Sequence, residues 1–206
     1  AKAILTDTYG WTIIDGGFNE SYECSLVPGE NACGTLNTAN TVYTLTQNVS
    51  SQGTCFTIDA ENITLDCNGH WINYSINGSA NTYGIYSFYN ENFTIKNCNI
   101  LDGNWSNQAG ADRNAIFVDE ADNSILFNNF INTSNSDAVY WQGPTSLNIS
   151  SNRFYSNSSS GLSFQYSSSN IFLFNNTISS LDDYALSISG NNHTILNNYI
   201  SGDSRT

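Results

Sequence analysis

The six-residue stretch Leu173-Phe-Asn-Asn-Thr-Ile178 recurs through this chain, and that recurrence limits its fold more than any other feature. Copies stand at Ile195-Leu-Asn-Asn-Tyr-Ile200, Leu126-Phe-Asn-Asn-Phe-Ile131, Ile149-Ser-Ser-Asn-Arg-Phe154 and Ile95-Lys-Asn-Cys-Asn-Ile100, with a looser one at Leu65-Asp-Cys-Asn-Gly-His70. Their first residues fall at 65, 95, 126, 149, 173 and 195, in steps of 30, 31, 23, 24 and 22. A second series keeps the same step: Gly84-Ile85, Ala115-Ile116, Ala138-Val139, Gly161-Leu162 and Ala185-Leu186 each place a small residue before an aliphatic one. Steps of this size mark a solenoid, in which each repeat buries its apolar face only against its neighbours. Two short apolar runs per repeat, separated by Asn, Ser, Gly and Asp, predict two β-strands per coil, and no window carries the 3.6-residue spacing of a helix.

Alternation along the strands predicts which side chains face the core. Ile116 and Val118, Val139 and Trp141, Leu162 and Phe164, and Leu186 and Ile188 point inward. Outward, Tyr86, Phe117 and Tyr140 fall at equivalent places on three successive coils and form an aromatic ladder that stops at Ser163 and Ser187. Ile125, Phe127, Phe172, Phe174 and Leu196 face out from the other strand. The recurring Asn129, Asn152, Asn176 and Asn198, with Cys98 in their place once, stack coil upon coil in a structural amide ladder.

The order Tyr43-Thr-Leu45, Asn62-Ile-Thr-Leu-Asp-Cys-Asn-Gly-His-Trp-Ile72, Gly84-Ile-Tyr86 and Asn92-Phe-Thr-Ile-Lys-Asn-Cys-Asn-Ile100 resembles the right-handed parallel β-helix proteins of the pectin-lyase-like class. The nearest in kind are NosD-like and archaeal or bacterial surface β-helix proteins. The resemblance spans about residues 41–200 and implies an all-β, right-handed parallel β-helix. It says little about activity, because lyases, hydrolases, epimerases, adhesins and structural proteins share that architecture. The expected organisation is an irregular N-terminal cap or assembly segment over residues 1–40, then a β-helix over 41–206 with coils of about 22–31 residues.

Composition narrows the function classes. Only 11% of residues are charged, yet the net charge is −13, which argues against nucleic acid. The basic residues Lys2, Lys96, Arg113, Arg153 and Arg205 are scattered, so no basic membrane patch forms, and no apolar run reaches the roughly 18 residues of a membrane span. Metal binding has little to build on: there is no Met, and His70 and His193 lie about five coils, roughly 24 Å, apart. That also weighs against the copper binding that a NosD-like resemblance implies. No cofactor is expected.

The hydrolase signatures Asn-Thr-Asp, Gly-His-Gly and Arg-Ile-Lys of the pectin-lyase-like class do not occur. Asp112, Asp119, Glu120, Asp122 and Asp137 cluster beside Arg113, and they read as solvated turn residues, with a calcium or catalytic site as the alternative. The longer coils carry their surplus at residues 74–82 and 103–113, where a groove is expected. Candidates for sugar binding or for an interface are Tyr86, Phe117, Tyr140, Trp105, Phe127 and Phe174. A sugar can stack on such a ladder; a neighbouring subunit or the chain's own N-terminal segment can equally cover it.

Twelve Asn-X-Ser/Thr sequons stand at Asn19, Asn48, Asn62, Asn73, Asn77, Asn92, Asn104, Asn132, Asn148, Asn157, Asn175 and Asn192, which points to N-linked glycans and an extracellular or cell-surface setting. Of the five cysteines, Cys24–Cys33 and Cys55–Cys67 are the expected disulfides, leaving Cys98 as the odd thiol. The last six residues are polar and too few to cover a coil. The expected cover is residues 3–14 of another copy, giving a head-to-tail filament, or else a further domain. Together these features describe a secreted, glycosylated structural or adhesive surface protein. The other reading is a carbohydrate-active enzyme or binding module.

Overall fold

A computed structural model describes residues 32–105 and 112–203 of the chain. Among them, 23 strands, β1 to β23 in chain order, build three seven-stranded sheets and one small pair. Sheet I holds β1 (Gly34–Leu36), β4 (Phe56–Ile58), β7 (Ile85–Phe88), β10 (Ile116–Asp119), β13 (Val139–Gln142), β16 (Leu162–Gln165) and β20 (Leu186–Ser187). Sheet II holds β2 (Val42–Thr44), β5 (Thr64–Asp66), β8 (Thr94–Lys96), β11 (Ile125–Phe127), β14 (Asn148–Ser150), β18 (Phe172–Phe174) and β22 (Thr194–Leu196). Sheet III holds β3 (Val49–Ser50), β6 (Trp71–Tyr74), β9 (Asn99–Asp102), β12 (Phe130–Thr133), β15 (Arg153–Ser156), β19 (Thr177–Ser180) and β23 (Tyr199–Ser201). The small pair is β17 (Ser168–Ser169) with β21 (Gly190–Asn191). Every pairing is parallel, and each coil visits sheets I, II and III in turn, so the described residues form seven coils. The first strand lies within residues 1–40: the solenoid already runs at Gly34, before the expected start at 41.

Each coil has three strands, where two were expected. The run Leu126–Ile131 is not one strand, because Asn128 and Asn129 turn a corner inside it and split it into β11 and β12. Asn128 adopts φ 54°, and its equivalents Asn97, Ser151, Asn175 and Asn197 adopt 54°, 60°, 56° and 56°. Asn enters the left-handed region at low cost, which is why this corner favours it. The second corner residue points inward and forms the expected amide ladder. The backbone N–H of Asn129 donates to Asn152 Oδ1 at 2.9 Å, that of Asn152 to Asn176 Oδ1 at 2.9 Å, and that of Asn176 to Asn198 Oδ1 at 2.8 Å. Each amide nitrogen also reaches a carbonyl of the preceding coil, as Asn152 Nδ2 does to Leu126 O at 2.9 Å. These buried amides are therefore satisfied, as buried polar groups must be.

The core is the stack of inward residues, and Ile116, Val118, Val139, Trp141, Leu162 and Phe164 are all buried in it as the alternation predicts. The small residue before each strand of sheet I is small for a steric reason. A Cβ on Gly84 would meet Ala115 O at 2.6 Å and Ile100 Cγ2 at 2.7 Å.

The disulfides differ from those expected. Cys33 pairs with Cys55 and Cys67 with Cys98, at Cα–Cα distances of 4.6 and 4.7 Å, close to the spacing of neighbouring strands. Cys55 and Cys67 cannot pair in this fold, because they flank strands of two different sheets within one coil. Cys98 is not a free thiol: it takes the ladder position, and Cys67 reaches it from the preceding coil. The N–H of Cys98 donates to Asn129 Oδ1 at 2.9 Å, so the covalent link continues directly into the amide ladder. Cys24 lies outside the described residues, as do Asn19 and residues 3–14.

Candidate functional site

The aromatic ladder forms on the outer face of sheet I. Register places Tyr86, Phe117, Tyr140 and then Ser163 side by side on β7, β10, β13 and β16. Tyr86 and Phe117 stack with centroids 5.7 Å apart, and Phe117 and Tyr140 at 5.3 Å with rings inclined by 14°. Phe117 is thus covered on both faces. Among the described residues the ring of Tyr140 stacks on Phe117 alone, and the next coil places Ser163 at the following position. Tyr83, from the loop before β7, folds back against the ladder at 5.4 Å from Tyr86 and 4.8 Å from Phe117. Strand alternation cannot reveal it, since it lies before the strand; its signal is its place three residues ahead of Tyr86.

Beside the ladder runs a groove of about 420 Å³, walled by Tyr83, Asp112, Asn114, Phe117, Asn135, Asp137, Tyr140, Gln142 and Ser159. It lies where the long loops between sheets III and I project, as their surplus length suggests. Asp137 accepts the Ser159 hydroxyl at 2.5 Å and the Ser160 N–H at 2.8 Å. Burial nevertheless pushes its carboxyl above the ordinary 3.8, and Asp183 adds to the rise. Burial likewise raises the phenols of Tyr83 and Tyr140. Carboxylates, amides, hydroxyls and aromatic rings line this groove, and no Lys, Arg or His stands in its described wall.

The expected carboxylate cluster is dispersed. Asp112 and Asp137 share the groove, whereas the carboxylate of Asp122 accepts the Thr145 N–H at 2.7 Å in a different turn, and Glu120 is exposed at the end of β10. Arg113 does not join them: its side chain turns into the core and pairs with Asp102 at 3.3 Å, both fully buried. Its Nη1 and Nη2 donate to Gly78 O and Asn104 O, each at 3.2 Å, so one guanidinium ties both long loops together. Ser134 donates to the same Asp102 carboxylate. Tyr74, fully buried, gives its hydroxyl to Arg113 O at 2.5 Å; burial and the Asp102 charge hold that phenol well above 10.0, against the pull of Arg113.

The other aromatic candidates stand apart. Trp105 is exposed on a long loop. Phe127 and Phe174 are exposed on sheet II with Ser150 between them, and Phe174 stacks on Phe172 at 5.9 Å. Among described sequons, Asn48, Asn62, Asn77, Asn92, Asn148, Asn175 and Asn192 are exposed, and Asn73, Asn104, Asn132 and Asn157 are half-buried. None of the buried asparagines Asn114, Asn129, Asn152 and Asn176 is the acceptor of a sequon.

Among the described residues, no three His, Cys, Asp or Glu side chains are placed to hold a metal ion, and no helix is long and apolar enough to cross a membrane. The two disulfides are consistent with an extracellular location. Neither a curated protein nor a solved structure matches the chain. The family model of the right-handed β-helix region matches residues 31–203, and the chain belongs to that family.

Proposed function

We propose that this chain is a glycosylated extracellular surface protein whose β-helix is a rigid scaffold, and that it holds a neutral polysaccharide in the groove beside Tyr140. The observation that carries this reading is the end of the aromatic ladder. Tyr140 has one ring face with no ring of a described residue against it, and Asp137, Gln142 and Ser159 stand beside it to take sugar hydroxyls. A wall containing Asp112 and Asp137, on a chain of net charge −13, disfavours polyuronates and favours neutral sugars. The described wall offers no basic residue to abstract a proton from a uronate, and Arg113 is engaged in the core, so the groove is read as binding without cleavage. Glycosylation fits the same picture: the described sequons lie on sheets II and III, the corners and the loops, while the strands of sheet I contain no Asn. Glycans there leave the ladder face bare.

The test is electrophoresis through gels containing soluble neutral or acidic polysaccharides, with released reducing ends and unsaturated products assayed in parallel. Retardation by a neutral polymer alone, lost in Tyr140→Ala and without product release, is expected. Retardation by a polyuronate with unsaturated products would replace this reading with a lyase. Intact mass of the secreted protein tests the glycans: a mass equal to the bare polypeptide removes them from the account.

A further inference from the structure

A second groove of about 720 Å³ runs along the corner between sheets II and III, away from the ladder. Its floor is the outer row of left-handed corner residues, Asn68, Asn97, Asn128, Ser151 and Asn175, so it crosses five coils, or roughly 19 Å at about 4.8 Å per step. We propose that the glycan carried by Asn175 lies back along this groove instead of projecting into solvent; the proposal rests on the glycosylation reading above. Three observations lead to it. Both recognition residues of one sequon, Asn175 and Thr177, line the groove, while Asn176 between them is locked in the amide ladder. Among the described residues the Asn175 amide nitrogen has only a long contact, 3.5 Å to Ser151 Oγ, so a glycosidic bond there sacrifices little. The equivalent nitrogen of the Asn62 sequon is held at 2.7 Å by Asn40.

The lining suits a chain of hydroxyl- and acetamido-bearing sugars. Asn128 gives one amide hydrogen to Asn97 Oδ1 at 2.8 Å, and an amide has a second hydrogen and further lone pairs to offer. Arg153 brings a fork of donors to the coil next to Asn175. Phe130 brings a ring held in place by Trp71 at 6.0 Å and Tyr155 at 5.7 Å. The sugar chain begins at one end of the groove, so its local concentration is high and weak contacts are enough to seat it.

The experiment uses the folded, secreted protein with its glycans and follows site-by-site release by an amide-cleaving glycosidase through peptide mass spectrometry. Release at Asn175 is expected to be about tenfold slower than at the exposed Asn192, the factor given by about 1.4 kcal/mol of seating. Arg153→Ala, which leaves the sequon intact, is expected to bring the two rates together. Equal rates in the wild type, or continued protection in Arg153→Ala, would overturn the proposal. Occupied sequons elsewhere with Asn175 bare would sink this inference alone, whereas no glycan at any sequon would sink the glycosylation reading with it.

Discussion

The coils that precede β10 and the coils that follow it solve the same stacking problem with different chemistry. In the early part the repeat steps rise from 22 to 30 and 31 residues, two long loops project, and neighbouring coils are linked by Cys33–Cys55 and Cys67–Cys98. In the later part the steps are 23, 24 and 22, and the corner that Cys98 occupies is closed by the amides of Asn129, Asn152, Asn176 and Asn198. A short coil satisfies its own polar groups through repetition. A coil that also supports a projecting loop departs from repetition, and here the departures are tied covalently and by one buried ion pair. The groove wall therefore stands next to the least regular, most heavily braced coils.

Breaking the brace is the harshest way to test this contrast. Arg113→Met leaves Asp102 buried without its cation, which is expected to cost about 3–5 kcal/mol and to release both long loops, read as a lowered denaturation midpoint. Replacing Asp102 as well, with Leu, is expected to return part of that loss, because no charge is then stranded. Reducing the disulfides should cost about 2–4 kcal/mol each, and hydrogen exchange should place the loss in the early coils only, since a solenoid couples nearest neighbours. Loss of protection in β15 and β19 would contradict a division between the two parts. In the later part, Asn152→Ala removes the acceptor for the Asn129 N–H and the donor to Leu126 O. Each orphaned buried group costs about 1–3 kcal/mol, and the opening should centre on β12 and β15.

The smallest effect concerns pH. Asp137 has its carboxyl raised in the fold, so the stability linked to it is fully present below 3.8 and is lost as pH rises through the raised value. Asp137→Asn keeps an acceptor for the Ser160 N–H and lacks that loss. It should match the wild type in acid and equal or exceed it in stability at neutral pH, as thermal melts across pH can check.

The part of the fold that repeats could be read from the chain, and the part that does not repeat could not. Burial of Ile116, Val118, Val139 and Trp141, the amide ladder and the stack of Tyr86, Phe117 and Tyr140 all follow from a two-residue alternation laid on a coil-length step. The third strand was hidden because the Asn128–Asn129 corner looks like the middle of an apolar run. The cysteine pairs needed the register: partners lie one coil apart, 55 − 33 = 22 and 98 − 67 = 31, the same lengths as the repeat steps. Arg113 looked like a member of a surface cluster because its partner Asp102 stands on the far side of a long loop. Tyr83 and Ser159 were missed for the same reason, since loop paths carry no period.

The central claim is that sugar binds the open ring face at the end of the ladder. Calorimetric titration of one neutral oligosaccharide into the wild type, Phe117→Ala and Tyr140→Ala separates that claim from a general need for a stacked ladder. Tyr140→Ala should lose at least about tenfold in affinity, an effect of about 1.4 kcal/mol, while Phe117→Ala, inside the stack, should lose less. Equal losses in both variants, or binding untouched in Tyr140→Ala, would contradict it.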